Sequence, residues 1–374
     1  MQKSSIRWTS STWNAIHGCS KVSDGCKHCY AMTLSLKNEW TKKDWTVSNE
    51  SDNVMIKPHK LHEPYLLKTP SRVFVNSMSD MFHRTIPDWY RAVMWAVMLD
   101  TPQHTYQILT KRAKDLPEWN DRFIQAQQTD EYQYFATKVP NKVKKAMSTF
   151  YPTAWADHIW QGVSVEDERV LPRIKHLQSC GAKVRFISAE PLLGAWGDAV
   201  DLTGIHWVIV GGESGNHMGR QDDKDKNPRW MKQEWAREIK NHCVSQQVAY
   251  FYKQDSAHVT EMRPYLLEED GTKWVWEQYP NDLTPPRRYG HDSEVVFGAD
   301  ETQVTAEMAR KLANRAEHLA YKADGYLAEN YAVASAYWYA KSFTPIKHYA
   351  PLISKPVVSQ LPVTPLSQMV MFPF

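Results

Sequence analysis

Short runs of β-branched and aromatic residues recur along the first 255 positions, most of them followed by helix-like sequence. The clearest occupy residues 72–77, 105–110, 159–163, 183–188, 206–211 and 248–253. A further strand is predicted around residues 13–17, and a helix around 89–99. The gaps are long enough for a crossover helix each time, which is the pattern of a parallel sheet built from βαβ units. Six or seven such units predict an α/β fold, a full or partial (β/α) barrel. Barrel chemistry gathers at the carboxyl ends of strands. Those ends carry Cys19, Ser77 to Asp80, Lys111, Arg112, Ser164, Glu190 and Glu213.

Two stretches break the rhythm. Residues 40–64 are mixed and charged. Residues 119–157 carry Lys138, Lys142, Lys144 and Lys145 close to Tyr132, Tyr134 and Phe135, and read as an insertion on the active-site or substrate side. Beyond residue 255 the pattern changes. Residues 268–276 predict a turn and a short strand, residues 300–343 a helical hairpin, and the Pro-interrupted tail an extended chain. The organisation expected is a barrel domain over 1–255 and an extension over 256–374.

Composition adds limited constraint. Among 374 residues, 16 Trp and 18 Tyr supply more flat amphipathic surface than a core alone demands. A net charge of +3 permits an anionic partner without requiring one. The longest apolar run, residues 92–99, is too short to span a bilayer, and no secretory leader is apparent. Only five cysteines occur, three of them within eleven residues. That usage argues against a disulfide framework and points to a reducing cytoplasm, with no membrane association.

The three are Cys19, Cys26 and Cys29, spaced Cys-x6-Cys-x2-Cys. Two intervening residues let Cys26 and Cys29 face one metal centre. The six-residue gap, with Asp24 and Gly25 suited to a tight turn, lets Cys19 swing round as a third ligand. A structural zinc site completed by His17 or His28 is one reading. It would make the protein a zinc-stabilised nucleic-acid-binding module without catalysis. The other is an iron–sulfur cluster with one iron left open by the protein. No second ligand pair follows at zinc-finger spacing, and the cluster sits at the first predicted strand end, which favours iron. Cys180 and Cys243 sit in helical contexts and read as buried small hydrophobes.

The cysteine run and the barrel rhythm resemble the radical S-adenosylmethionine superfamily, whose usual first gap is three residues. The six here matches a phage and bacterial branch long catalogued as of unknown function. Segments similar to that branch are Ile6-Arg7-Trp8-Thr9-Ser10-Ser11-Thr12-Trp13-Asn14, Val73-Phe74-Val75-Asn76-Ser77-Met78-Ser79-Asp80, Ile108-Leu109-Thr110-Lys111-Arg112, Ile187-Ser188-Ala189-Glu190-Pro191-Leu192, Val208-Ile209-Val210-Gly211-Gly212-Glu213-Ser214 and Phe251-Tyr252-Lys253-Gln254. The similarity covers about residues 5–255.

The resemblance implies a [4Fe–4S] cluster on Cys19, Cys26 and Cys29, S-adenosyl-L-methionine on the open iron, and a 5′-deoxyadenosyl radical that abstracts hydrogen from carbon. It further implies an electron donor such as flavodoxin or ferredoxin. Ser77, Ser79 and Asp80 occupy the segment that binds the methionine amine in the superfamily, though Asp80 also suits a helix cap. His28, Tyr30 and Ser164 join the expected cofactor contacts, His28 through its backbone to the adenine. Glu190 and Glu213 end consecutive strands and are the candidate catalytic carboxylates, holding ribose, substrate or a proton. Lys111 and Arg112 suit an anionic substrate group, with Glu213 beside them. The substrate expected is DNA. In its most specific form, the enzyme isomerises an N-linked glycyl-thymidine to a C-linked form in phage DNA hypermodification. A radical repair lyase of the spore-photoproduct kind is the rival enzyme reading.

Overall fold

In the computed structural model the described residues are 1–214, 229–257 and 263–289. Met1–Arg288 forms one compact unit. The helical hairpin and tail expected over 300–374 lie outside the described residues.

The main sheet takes seven parallel strands in order: β2 (Ser11–Trp13), β5 (Arg72–Val75), β6 (Thr105–Thr110), β7 (Ile159–Ser164), β8 (Val184–Ala189), β9 (Trp207–Gly211) and β10 (Ala249–Gln254). A two-residue strand, β1 (Gln2–Lys3), pairs antiparallel with β2 at one edge. The sheet curls into a half-barrel, so the expected architecture is present in its partial form. Each predicted run falls on an observed strand. The first strand is displaced: β2 ends at Trp13, and β3 (Ile16–His17) leaves the sheet to pair antiparallel with β4 (Met55–Ile56). Asn14 sits at the departure, where its amide oxygen accepts from the Met78 N–H at 3.0 Å.

Side chains alternate across each strand, and here the alternation divides two cores. One face packs against helices through residues such as Val73, Ile108, Val163, Ile187, Val208 and Tyr250. The inner face is an aromatic plug of Phe74, Phe186, Trp207 and Phe251, closed by Trp8 and with Trp160 against it. Two to four residues further along those strands, the same face carries Ser164, Ser188, Gly211 and Lys253. An apolar floor therefore lies beneath a polar rim at the carboxyl ends.

Helix α3 (Asp88–Leu99) buries every residue from Tyr90 to Met98. A helix buried on all sides, here apolar but for Arg91, must be covered on all sides. Its cover is the 119–157 insertion, which folds as α4 (Trp119–Ala126), α5 (Asp130–Ala136) and α6 (Asn141–Met147) and packs on α3. The insertion expected on the active-site or substrate side thus packs on α3 through all three of its helices. Tyr132 is buried, and Phe135 packs on Trp89 with ring centroids 4.9 Å apart, so these two rings are core. The lysines are exposed, with Lys138 over the Tyr134 ring and Lys142 over Tyr65.

Candidate functional site at the carboxyl ends of the strands

The cysteine loop, residues 19–29, lies across the carboxyl ends of the sheet, held there by charged side chains from three strand ends. After β6, the Arg112 guanidinium donates to Cys19 Sγ at 3.4 Å, Asp80 Oδ2 at 3.0 Å and the Ser20 carbonyl at 2.8 Å. After β7, Glu166 accepts from Ser23 Oγ at 3.0 Å. After β9, Glu213 Oε2 lies 3.0 Å from His28 Nδ1. Glu213 also accepts from Arg229, whose other nitrogen reaches the Asp24 carbonyl at 2.6 Å.

These anchors are themselves fixed. Lys111 Nζ stands 2.6 Å and Arg173 Nη1 2.7 Å from the two oxygens of Glu166, which is almost fully buried. Burial opposes its charge, but Lys111 and Arg173 outweigh that and bring its carboxyl down to about 2. Gly25 lies against this carboxylate so closely that a Cβ would sit 2.3 Å from Oε1. Asp80 accepts from Thr110 Oγ1 at 2.7 Å and from the N–H groups of Phe82 and Lys111. Burial works against its charge too, yet Arg112 and these donors hold the carboxyl below its ordinary value. Glu213 follows the same logic, with Arg229 and His28 prevailing over burial.

The three cysteines are free thiols. Cys19 and Cys29 pack against a small apolar cluster of Ala31, Met32, Trp45 and Met78, so part of the 40–64 stretch shields the sulfurs. Burial pushes the Cys19 thiol up to about 12 and raises that of Cys29. Among the described residues no three Cys, His, Asp or Glu side chains are spaced to share a single metal ion. Each candidate zinc histidine has a ring nitrogen committed, His17 to Ser35 Oγ at 2.9 Å and His28 to Glu213.

The polar rim completes the site. Glu190 is paired with Lys253 at 2.8 Å and accepts from Ser188 Oγ at 3.1 Å. Gly211 makes room for it, since a Cβ there would lie 2.9 Å from Glu190 Oε1. Tyr30 opens helix α1 (Tyr30–Lys37); it is half exposed and donates to the Ser77 carbonyl at 2.7 Å. Ser77 Oγ is bonded to the Asn14 amide, and Ser79 Oγ donates to the Ile16 carbonyl. Ser164 is buried beside Glu166, and its carbonyl accepts from Arg173. The structure thus gathers the expected residues at one edge of the sheet and adds Glu166, Arg173, Arg229 and Lys253. Cys180 and Cys243 are buried apart from the loop, in the helix-side core.

No helix among the described residues is long and apolar enough to cross a membrane. The family described as a protein of unknown function, DUF5131, matches residues 3–318. No curated protein and no solved structure matches.

Proposed function

The chain belongs to the DUF5131 family, and from that footing we propose that it is a radical S-adenosylmethionine enzyme whose [4Fe–4S] cluster is held by Cys19, Cys26 and Cys29. The observation that carries the reading is the placement of three free thiols on one loop, anchored from three strand ends across the polar mouth of a parallel half-barrel. A structural zinc would draw its ligands to about 2.3 Å from one point. A cubane takes each thiolate on a separate iron. Burial disfavours the anions of Cys19 and Cys29 until a metal replaces the proton. When bound, the cluster supplies one electron to S-adenosylmethionine and so a carbon-centred radical.

The protein's own groups position and enclose. Arg112 fixes the first ligand sulfur, and the apolar cluster around Trp45 keeps water from that side. The Glu190 carboxylate and Lys253 ammonium offer opposite charges at the rim for the polar groups of a ligand. The aromatic plug closes the floor.

The proposed substrate is a base in DNA, in its narrowest form the N-linked glycyl-thymidine that would be isomerised to a C-linked product. Support comes from Tyr30 and Trp230, both half exposed and next to loop-anchoring contacts, whose flat rings suit stacking on an extruded base. The insertion contributes exposed lysines and the exposed rings of Tyr134 and Phe150, its rings Tyr132 and Phe135 being core.

Anaerobic reconstitution tests the chemistry. The loaded protein is expected to be brown and, once reduced, to release 5′-deoxyadenosine from S-adenosylmethionine; Cys26→Ala should do neither. Colourless, zinc-bearing protein without cleavage activity would overturn the reading. Active protein that leaves glycyl-thymidine DNA unchanged overturns the substrate alone.

A further inference from the structure

We propose that Arg112 sets the reduction potential of the metal group on Cys19, through the hydrogen bond it donates to that ligand sulfur. The inference rests on the cluster reading above. It assigns Arg112 a positioning and electrostatic role, in place of the substrate contact its sequence position suggested.

The geometry leaves the guanidinium little freedom. Nη1 reaches both Cys19 Sγ at 3.4 Å and Asp80 Oδ2 at 3.0 Å, while Nη2 reaches the Ser20 carbonyl at 2.8 Å and Ser20 Oγ at 3.1 Å. A planar fork fixed at both nitrogens cannot turn toward a ligand in the mouth without breaking several of these bonds. Asp80 is pinned in turn by Thr110 Oγ1 and two backbone N–H groups, so the chain from β6 to the sulfur is rigid. The other two anchors differ. Glu166 grips Ser23 and Glu213 grips His28, so neither of those contacts ends on a sulfur.

A cation donating to a thiolate sulfur draws off negative charge. Reduction adds negative charge, so the donor favours the reduced state and raises the potential. The Asp80 carboxylate acts in the opposite sense, partly cancelling Arg112. The two substitutions therefore have opposite predicted signs. A purely structural role for either residue would not produce that pattern.

The test is a redox titration of the reconstituted full-length protein with dithionite, followed by electron paramagnetic resonance of the reduced cluster. Arg112→Gln should move the reduction equilibrium at least about tenfold toward the oxidised form, about 59 mV for a one-electron couple. Arg112→Lys, which keeps the charge, should stay closer to wild type than the glutamine variant. Asp80→Asn should shift the other way. A glutamine variant within about threefold of wild type, about 28 mV, overturns the proposal, as does an asparagine variant that shifts in the same direction. If Arg112→Gln takes up no iron, Asp80→Asn decides alone: a rise supports the proposal, and a fall or no change overturns it. Wild-type protein that binds no iron sinks the cluster reading and this one together. Loaded protein with unmoved potentials sinks only this one.

Discussion

Glu213 Oε2 lies 3.0 Å from His28 Nδ1, joining the end of β9 to the cysteine loop across 185 residues of chain. The same carboxylate holds Arg229, which holds the Asp24 carbonyl. One buried side chain therefore fixes the loop at two points. Glu213→Gln keeps an acceptor but removes the charge, leaving Arg229 and His28 with a weakened partner. Hydrogen bonds to charged groups contribute about 1.5–3 kcal/mol, so a loss of stability of about 2 kcal/mol is expected by urea unfolding. Amide exchange over residues 20–29 should accelerate in the same variant. Unchanged protection there would show that the loop is held by other means.

Glu166 makes stability depend on pH. Its carboxyl, at 4.5 in its ordinary state, is brought down to about 2 in the fold, chiefly by Lys111 and Arg173 acting against burial. A lowered carboxylate stabilises the folded chain fully above the unfolded value and loses that contribution as pH falls toward the folded one. The window is therefore pH 4.5 down to about 2, and the contribution at neutral pH is about 3 kcal/mol. Urea midpoints measured from pH 7 to pH 3 should fall more steeply below pH 4.5 for wild type than for Glu166→Gln. Parallel curves would remove Glu166 from the account.

Gly162 is where the aromatic plug meets the sheet. A Cβ at this position would lie 2.4 Å from the Phe186 ring, which itself packs on Trp207 with centroids 5.8 Å apart. The ring has no open side to move into, so Gly162→Ala should destabilise by about 1–3 kcal/mol, as overpacked cores do. Thermal unfolding reads this directly. If the melting temperature is unchanged, the inner face is looser than the contacts require.

The strands were legible because buried parallel strands are short, β-branched and aromatic runs, and their period is local information. The three cysteines were legible as a set for the same reason: they lie within eleven residues. Glu166 was within reach of the same reasoning, since Val163, Ser164, Val165 and Glu166 continue past a strand end into the rim. Lys253 was too, as a cation two residues beyond Phe251 on the inner face. Arg229 was not, because nothing near it in the chain indicates that it turns back to Asp24 and Glu213. The packing of the 119–157 insertion on α3 was not read from the sequence, for a physical reason. Its aromatics at 132–135 lie next to its lysines at 138–145, as they would on a binding surface, and only the fold shows that these helices pack on α3 as a cover.

That cover yields the sharpest contrast between core and surface. Trp119, at the start of α4, is fully buried, with its ring 4.8 Å from Trp95 and 5.6 Å from Phe82. Lys144, in α6 of the same insertion, is exposed. If the three helices are part of the barrel's core, Trp119→Ala should lower stability by about 3–5 kcal/mol, as large-to-small changes in packed interiors do. Lys144→Ala should stay within about 0.5 kcal/mol of wild type. A detachable substrate-side appendage would give a different result, with both variants unfolding like the parent. Chemical denaturation of the two proteins side by side distinguishes these outcomes, and equal midpoints would return the insertion to the surface.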